Sequence, residues 1–180
     1  MRRLTLYLTP IIALLISTAA QAAPGPFDSW LLGVTHPLSG ADHLLVMVAV
    51  GVWSGLAGGR ALWVWPAVFV GMMLTGFAAA SAGLHLPLVE PIVASSVIVL
   101  GLLVALAVVA PVWMGAALVA TFAFFHGHAH GTEVGAASFP LYAAGFALAT
   151  AALHAFGICL GVRWWRNVSV GRRSVHLEPT

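Results

Sequence analysis

Val112-Trp113-Met114-Gly115-Ala116-Ala117-Leu118-Val119-Ala120-Thr121-Phe122-Ala123-Phe124-Phe125-His126-Gly127-His128-Ala129-His130-Gly131-Thr132-Glu133 is an oily run that closes in three imidazoles and a carboxylate. About 20 apolar residues at 1.5 Å per residue cross the ~30 Å of a bilayer's hydrocarbon, so the run reads as a membrane helix over 112–131. Its chemistry is confined to one end. Imidazole nitrogens with a carboxylate oxygen suit a borderline divalent transition metal, and such a cluster is costly to keep in so apolar a chain.

The rest of the chain fits that setting. Of 180 residues, 61% are hydrophobic and 7% charged, and mean hydropathy is +1.03. That is too little polar material to coat a soluble globule, and it points to an integral membrane protein whose main partner is the lipid bilayer. All seven basic residues are arginines, and Arg163, Arg166, Arg172 and Arg173 gather near the C-terminus. They report orientation rather than a nucleic-acid surface, so no nucleic-acid partner is expected. The lone Cys159 excludes an internal disulfide and packs as a small hydrophobe.

Residues 1–22 carry Arg2-Arg3, an apolar run and the small-x-small ending Ala20-Gln21-Ala22, the pattern of a cleaved secretory signal. The competing reading is an uncleaved first span. Beyond it, hydrophobic runs near 33–56, 62–83, 89–109, 112–131 and 139–162 predict an all-α, polytopic membrane helix bundle of about five transmembrane helices, six if the signal stays. The expected organisation is a signal at 1–22, a bundle at 23–163 and a cytoplasmic tail at 164–180, disordered over its last fifteen or so residues. With the N-terminus outside, every arginine of the mature chain falls inside, and all seven tryptophans fall near span ends where an aromatic belt belongs. Gly51, Gly55 and Gly58/Gly59, and then Gly127, Gly131 and Gly135, suggest stripes for close helix packing.

A second polar cluster, His36-Pro37-Leu38-Ser39-Gly40-Ala41-Asp42-His43, opens the first span. On one continuous helix His36 and His43 project within about 20° of each other, with Met47 a turn further along, and Pro37 suits the first helical turn. Asp42 points aside, either as a ligand or as an acceptor that orients an imidazole. In the other motif His126, His130 and Glu133 share a stripe while His128 faces elsewhere. The alternating topology puts both motifs at the outer face, where His36, Asp42, His43, His126, His130 and Glu133 could form a metal site or entry path. His128, Met47 and His154 are weaker candidates: Met47 is more often packing, and His154, deep in the last span, is a core group or an inner relay for the ion. The plain alternative for the clusters is interhelical hydrogen bonding, an expensive use of five histidines and two carboxylates. Glu90 and Asp28 read as helix-terminus charges, His85 and His176 as interfacial residues.

His36-Pro-x-x-Gly40-x-Asp42-His43 followed by Phe125-His126-Gly127-x-Ala129-His130-Gly131-x-Glu133 resembles the paired signatures of the HupE/UreJ family of bacterial nickel permeases. The resemblance implies a non-enzymatic, multi-pass protein of the bacterial inner membrane, with a periplasmic N-terminus after cleavage and a cytoplasmic C-terminus. It implies import of Ni²⁺, in some members Co²⁺, for hydrogenase or urease maturation, with His36, Asp42, His43, His126, His130 and Glu133 as metal residues. No nucleotide-binding signature such as G-x-x-x-x-G-K-[ST] is present, so a secondary permease is the leading expectation. The main alternative is a membrane-embedded zinc-dependent hydrolase with Glu133 as base, although H-E-x-x-H is lacking. A haem carrier needs axial histidine pairs deep in spans, where only His154 lies, so no prosthetic group is expected.

Overall fold

The computed structural model describes residues 23–175, and among them the chain forms six helices and no strands. These are α1 (Pro26–Ser39), α2 (Ala41–Ala57), α3 (Ala61–Ser81), α4 (Val89–Ala105), α5 (Val112–Gly131) and α6 (Phe139–Val175). The expected signal at 1–22 lies outside the described residues, as does His176. Helices α3, α5 and the Phe139–Asn167 part of α6 are long and apolar enough to span a membrane, and α1 with α2 would make a fourth. Of the five expected spans, 89–109 is shortened to the 17 residues of α4, about 26 Å at 1.5 Å per residue. Ala107, at φ 46°, turns the chain out of the helix there. At the other end of the chain, α6 continues through residues 164–175, into the stretch expected to form the cytoplasmic tail.

The first expected span, 33–56, is not one helix: α1 and α2 meet at 83°. Pro37 has no N–H to give to the carbonyl of Gly33, and Gly40 then adopts an extended backbone, φ −107° and ψ 123°. Two expectations fall with this break. Pro37 sits in the last turn of α1 rather than a first turn, and His36 and His43 do not share a stripe, because they stand on different helices.

Glycines set the helix pairs. A Cβ on Gly51 or Gly55 would collide with the carbonyls of His154 and Ile158, and Gly157 and Gly161 present the same bare backbone to Val48 and Val52. The contacts advance four residues at a time on both helices, so α2 and α6 run in the same direction. In the same way Gly115, Gly127 and Gly131 of α5 lie against Trp65, Met73 and Phe77 of α3, and Gly76 returns the contact to Phe124. Small residues let the backbones touch where lipid supplies no hydrophobic drive. Gly58/Gly59 and Gly135 fall outside these stripes: Gly58, Gly59 and Gly135 have positive φ, the first two in the turn after α2 and the third in the loop after α5.

The aromatic belt is also only partly present. Trp63, Trp113, Trp164 and Trp165 are exposed, but Trp53 and Trp65 are buried face to face, with ring centroids 4.1 Å apart. Their indole N–H groups donate to the carbonyls of Val108 and Val112 at 2.8 and 2.9 Å. Hydrogen-bond partners in the 106–111 turn and at the first residue of α5 let these amphipathic rings enter the core. The core also contains Met47, Phe69, Met73 and Leu100, with Phe77 and Phe146 packed on the His130 ring at the histidine end.

Candidate metal centre

The break at Gly40 is what lets two neighbouring helices aim at one place. α1 brings His36 and α2 brings His43 to the end of α5, where His126 and His130 lie one turn apart and Glu133 follows in the loop. Gly40 has a second use, because the His43 ring lies over it: a Cβ there would stand 2.6 Å from His43 Cδ2.

Two sets of three donors result. In the first, His36 Nε2 lies 2.9 Å from Glu133 Oε2, His130 Nδ1 lies 3.0 Å from the same oxygen, and the two nitrogens are 3.1 Å apart. With a proton on each facing nitrogen, both imidazole N–H groups donate to the carboxylate. When an ion binds there, each neutral imidazole carries its proton on its other ring nitrogen instead, and the same three atoms point lone pairs at one spot.

In the second set His43, His126 and His130 each offer a nitrogen within 4.8 Å of the others. His43 Nδ1 and His126 Nδ1 are 3.1 Å apart, and the rings of His43 and His130 are 4.0 Å apart. His130 belongs to both sets: its Nδ1 serves the first, and its buried Nε2 has no hydrogen-bond partner. Phe146 and Phe77 pack on its ring and exclude water from it. Such an orphaned nitrogen fits a lone pair kept for an ion.

Electrostatics at the rim favour a cation. Glu133, half exposed beyond the end of α5, is pulled down to about 2 from its usual carboxylate range, chiefly by the hydrogen bond from His130, with burial opposing and the neighbouring imidazoles assisting. It is ionised throughout the physiological range. Asp42 lies beside the site, 3.7 Å from His43 Nε2 and in neither donor set.

The weaker candidates separate. His128 turns away, as its stripe required, and its Nε2 lies 2.6 Å from the carbonyl of Leu84, tying α5 to the 82–88 loop. Met47 lies one turn below His43, buried, with its sulfur accepting from the Thr150 hydroxyl at 3.4 Å. His154 is buried deeper in the bundle, against Phe69.

One residue near the site escaped the sequence reading. Ser96 of α4 donates to the carbonyl of Val93 at 2.6 Å, so its single proton is committed, and its oxygen, 2.9 Å from His126 Nε2, accepts the Nε2–H. This fixes the tautomer of His126 and leaves Nδ1 unprotonated, facing His43. A serine inside an apolar span is a signal in principle, but its partner is visible only in three dimensions.

A bundle of apolar helices with a histidine and carboxylate cluster at one end defines a polytopic membrane protein. The chain belongs to the HupE/UreJ family: it matches the family described as "HupE / UreJ protein" over residues 11–176. It is similar to Protein HupE of Rhizobium leguminosarum bv. viciae, with 44% identity over 154 residues, 84% of this chain and 81% of that protein. No solved structure matches it.

Proposed function

We propose that this protein is an inner-membrane secondary permease for divalent nickel, with cobalt as a second cargo, supplying metal for hydrogenase or urease maturation. The observation that carries the reading is the His36–His130–Glu133 triangle, two imidazole nitrogens and a carboxylate oxygen within 3.1 Å of one another, a donor set that suits a borderline divalent ion. Membership of the HupE/UreJ family, with the two motifs that resemble its signatures, supports the choice of cargo.

In this reading the triangle faces the periplasm and the Arg-rich end of α6 the cytoplasm, as the positive-inside rule requires. A hydrated ion reaches Glu133 first, sheds part of its water to His36 and His130, and passes to His43 and His126 below them. Membrane potential favours inward movement by about 2.3 kcal/mol per elementary charge per 100 mV, so a divalent ion needs no nucleotide. The zinc-hydrolase alternative is disfavoured by the lack of H-E-x-x-H, and the protein is read as a transporter and not an enzyme.

Uptake of radioactive nickel tests the proposal in cells lacking other importers, with His36→Ala and His130→Ala expressed at wild-type levels. Both variants lose uptake. Wild-type uptake in either would sink the reading, and competition by Co²⁺ and Zn²⁺ in the same assay ranks the cargoes.

A further inference from the structure

Below the histidine cluster the bundle contains a second group of donors. One turn past His43 on α2 lies Met47, and Met73 of α3 faces it. The Thr150 hydroxyl of α6 stands between them, 3.4 Å from Met47 Sδ and 3.7 Å from Met73 Sδ. One further turn along α6, about 6 Å at 1.5 Å per residue, is His154. Its ring is 1% exposed, and neither nitrogen has a hydrogen-bond partner. It packs edge-on against Phe69 at 4.9 Å, and the His126 ring of the cluster lies 6.1 Å from the same Phe69. Gly51 and Gly157 bring α2 and α6 into backbone contact at this level, closing the site from lipid.

An imidazole that leaves both nitrogens unmet in an apolar core is a poor structural choice, because leucine would fill the same space without that cost. Its position is informative: Phe69 lies against both its ring and that of His126, and two thioethers and a hydroxyl lie one turn of α6 away. We propose that His154 is the ligand of a second, inner binding station for the divalent cation, loaded from the outer histidine cluster past the Met47–Thr150–Met73 layer. The proposal rests on the permease reading above. Thioether sulfur and imidazole nitrogen are soft enough to hold a late first-row ion and lack the carboxylate of the outer site, so the ion binds there more loosely and can leave inward.

The test uses the full chain reconstituted in vesicles with Ni²⁺ outside, comparing wild type, His154→Leu and His154→Met. The His154→Leu protein, measured without metal, unfolds at or above the wild-type temperature, because an unmet polar group has been removed. Its maximal flux falls at least tenfold while KM, which reports the untouched outer cluster, stays within twofold. His154→Met, which keeps a ligand atom, recovers part of the flux. Wild-type flux in His154→Leu overturns the inner station, and so does a clear drop in its unfolding temperature or failure to accumulate, since either shows a satisfied structural histidine. If the wild-type protein itself carries no Ni²⁺, the permease reading fails first, and the two failures are thus distinct.

Discussion

His36 and His130 are 94 residues apart in the chain, yet His36 Nε2 lies 3.1 Å from His130 Nδ1, and Glu133 Oε2 closes a triangle with both. The two nitrogens can bond to each other, one donating its N–H and the other accepting, and Glu133 sets a full negative charge beside both. The carboxylate is therefore the element to remove first. Glu133→Gln keeps the shape of the side chain and loses its charge, and nickel affinity of the purified protein is expected to fall at least tenfold, about 1.4 kcal/mol. Isothermal titration checks it, and an unchanged affinity would show that the triangle holds no ion.

The same residue gives a pH signature in the metal-free protein. Glu133 is held at about 2 in the fold against 4.5 for the free group, principally by the His130 hydrogen bond. A depressed carboxyl stabilises the fold fully above the higher value and loses that contribution as pH falls towards the lower one. The difference in unfolding temperature between wild type and Glu133→Gln should stay constant from pH 8 to about 5 and shrink as pH drops from 4.5 towards 2. Because the side chain is half exposed, the difference will be small. A gap that widened on acidification would contradict the assignment.

The two motifs and their nearness were legible because residue type and helix count both survive translation into structure: the span boundaries put Asp42-His43 and His126 to Glu133 at one end, and there they lie. What the sequence hid was direction. A hydropathy window reads Gly33 to Leu56 as one oily run and does not register that Pro37 and Gly40 turn it through 83°. The helical wheel then placed His36 and His43 on one stripe that does not exist. Trp53 and Trp65 show the same limit: position along the axis placed them at a membrane interface, whereas the face they occupy, with a carbonyl waiting on the neighbouring turn, placed them in the core. Ser96 was unremarked because a lone serine in a span usually bonds its own helix, and it does; the second contact, to His126, comes from packing α4 on α5.

Helix packing supplies a prediction with its own controls. Gly127 lies against the Met73 carbonyl, so Gly127→Ala must push α5 off α3, at a cost on the order of 3 kcal/mol, and little folded protein should reach the membrane. Gly71→Ala and Gly101→Ala meet nothing within 4 Å and sit inside helices. They are expected to be neutral or to stabilise by about 0.4–1 kcal/mol. Membrane-fraction yield and unfolding temperature of the three variants provide the comparison, and a well-folded Gly127→Ala would refute the close α3–α5 contact.

Ser96 offers the sharpest separation of position from packing. If its oxygen holds His126 as the Nε2–H tautomer, Ser96→Ala leaves the ring free to place its proton on Nδ1, the atom that faces His43 at 3.1 Å. Nickel affinity should then fall about 10–100-fold, the usual effect of losing a group that orients a metal-binding histidine. Ser96→Thr keeps the hydroxyl and should restore most of it. The unfolding temperature cannot serve as the readout, since Ser96→Ala also leaves a buried imidazole nitrogen unmet and destabilises on that ground alone. The tautomer can: the ¹⁵N shifts of the His126 ring in metal-free protein report a protonated Nε2 in wild type and in Ser96→Thr, and a mixture in Ser96→Ala. A wild-type ring that already carried its proton on Nδ1 would overturn the role given to Ser96, whatever the affinities.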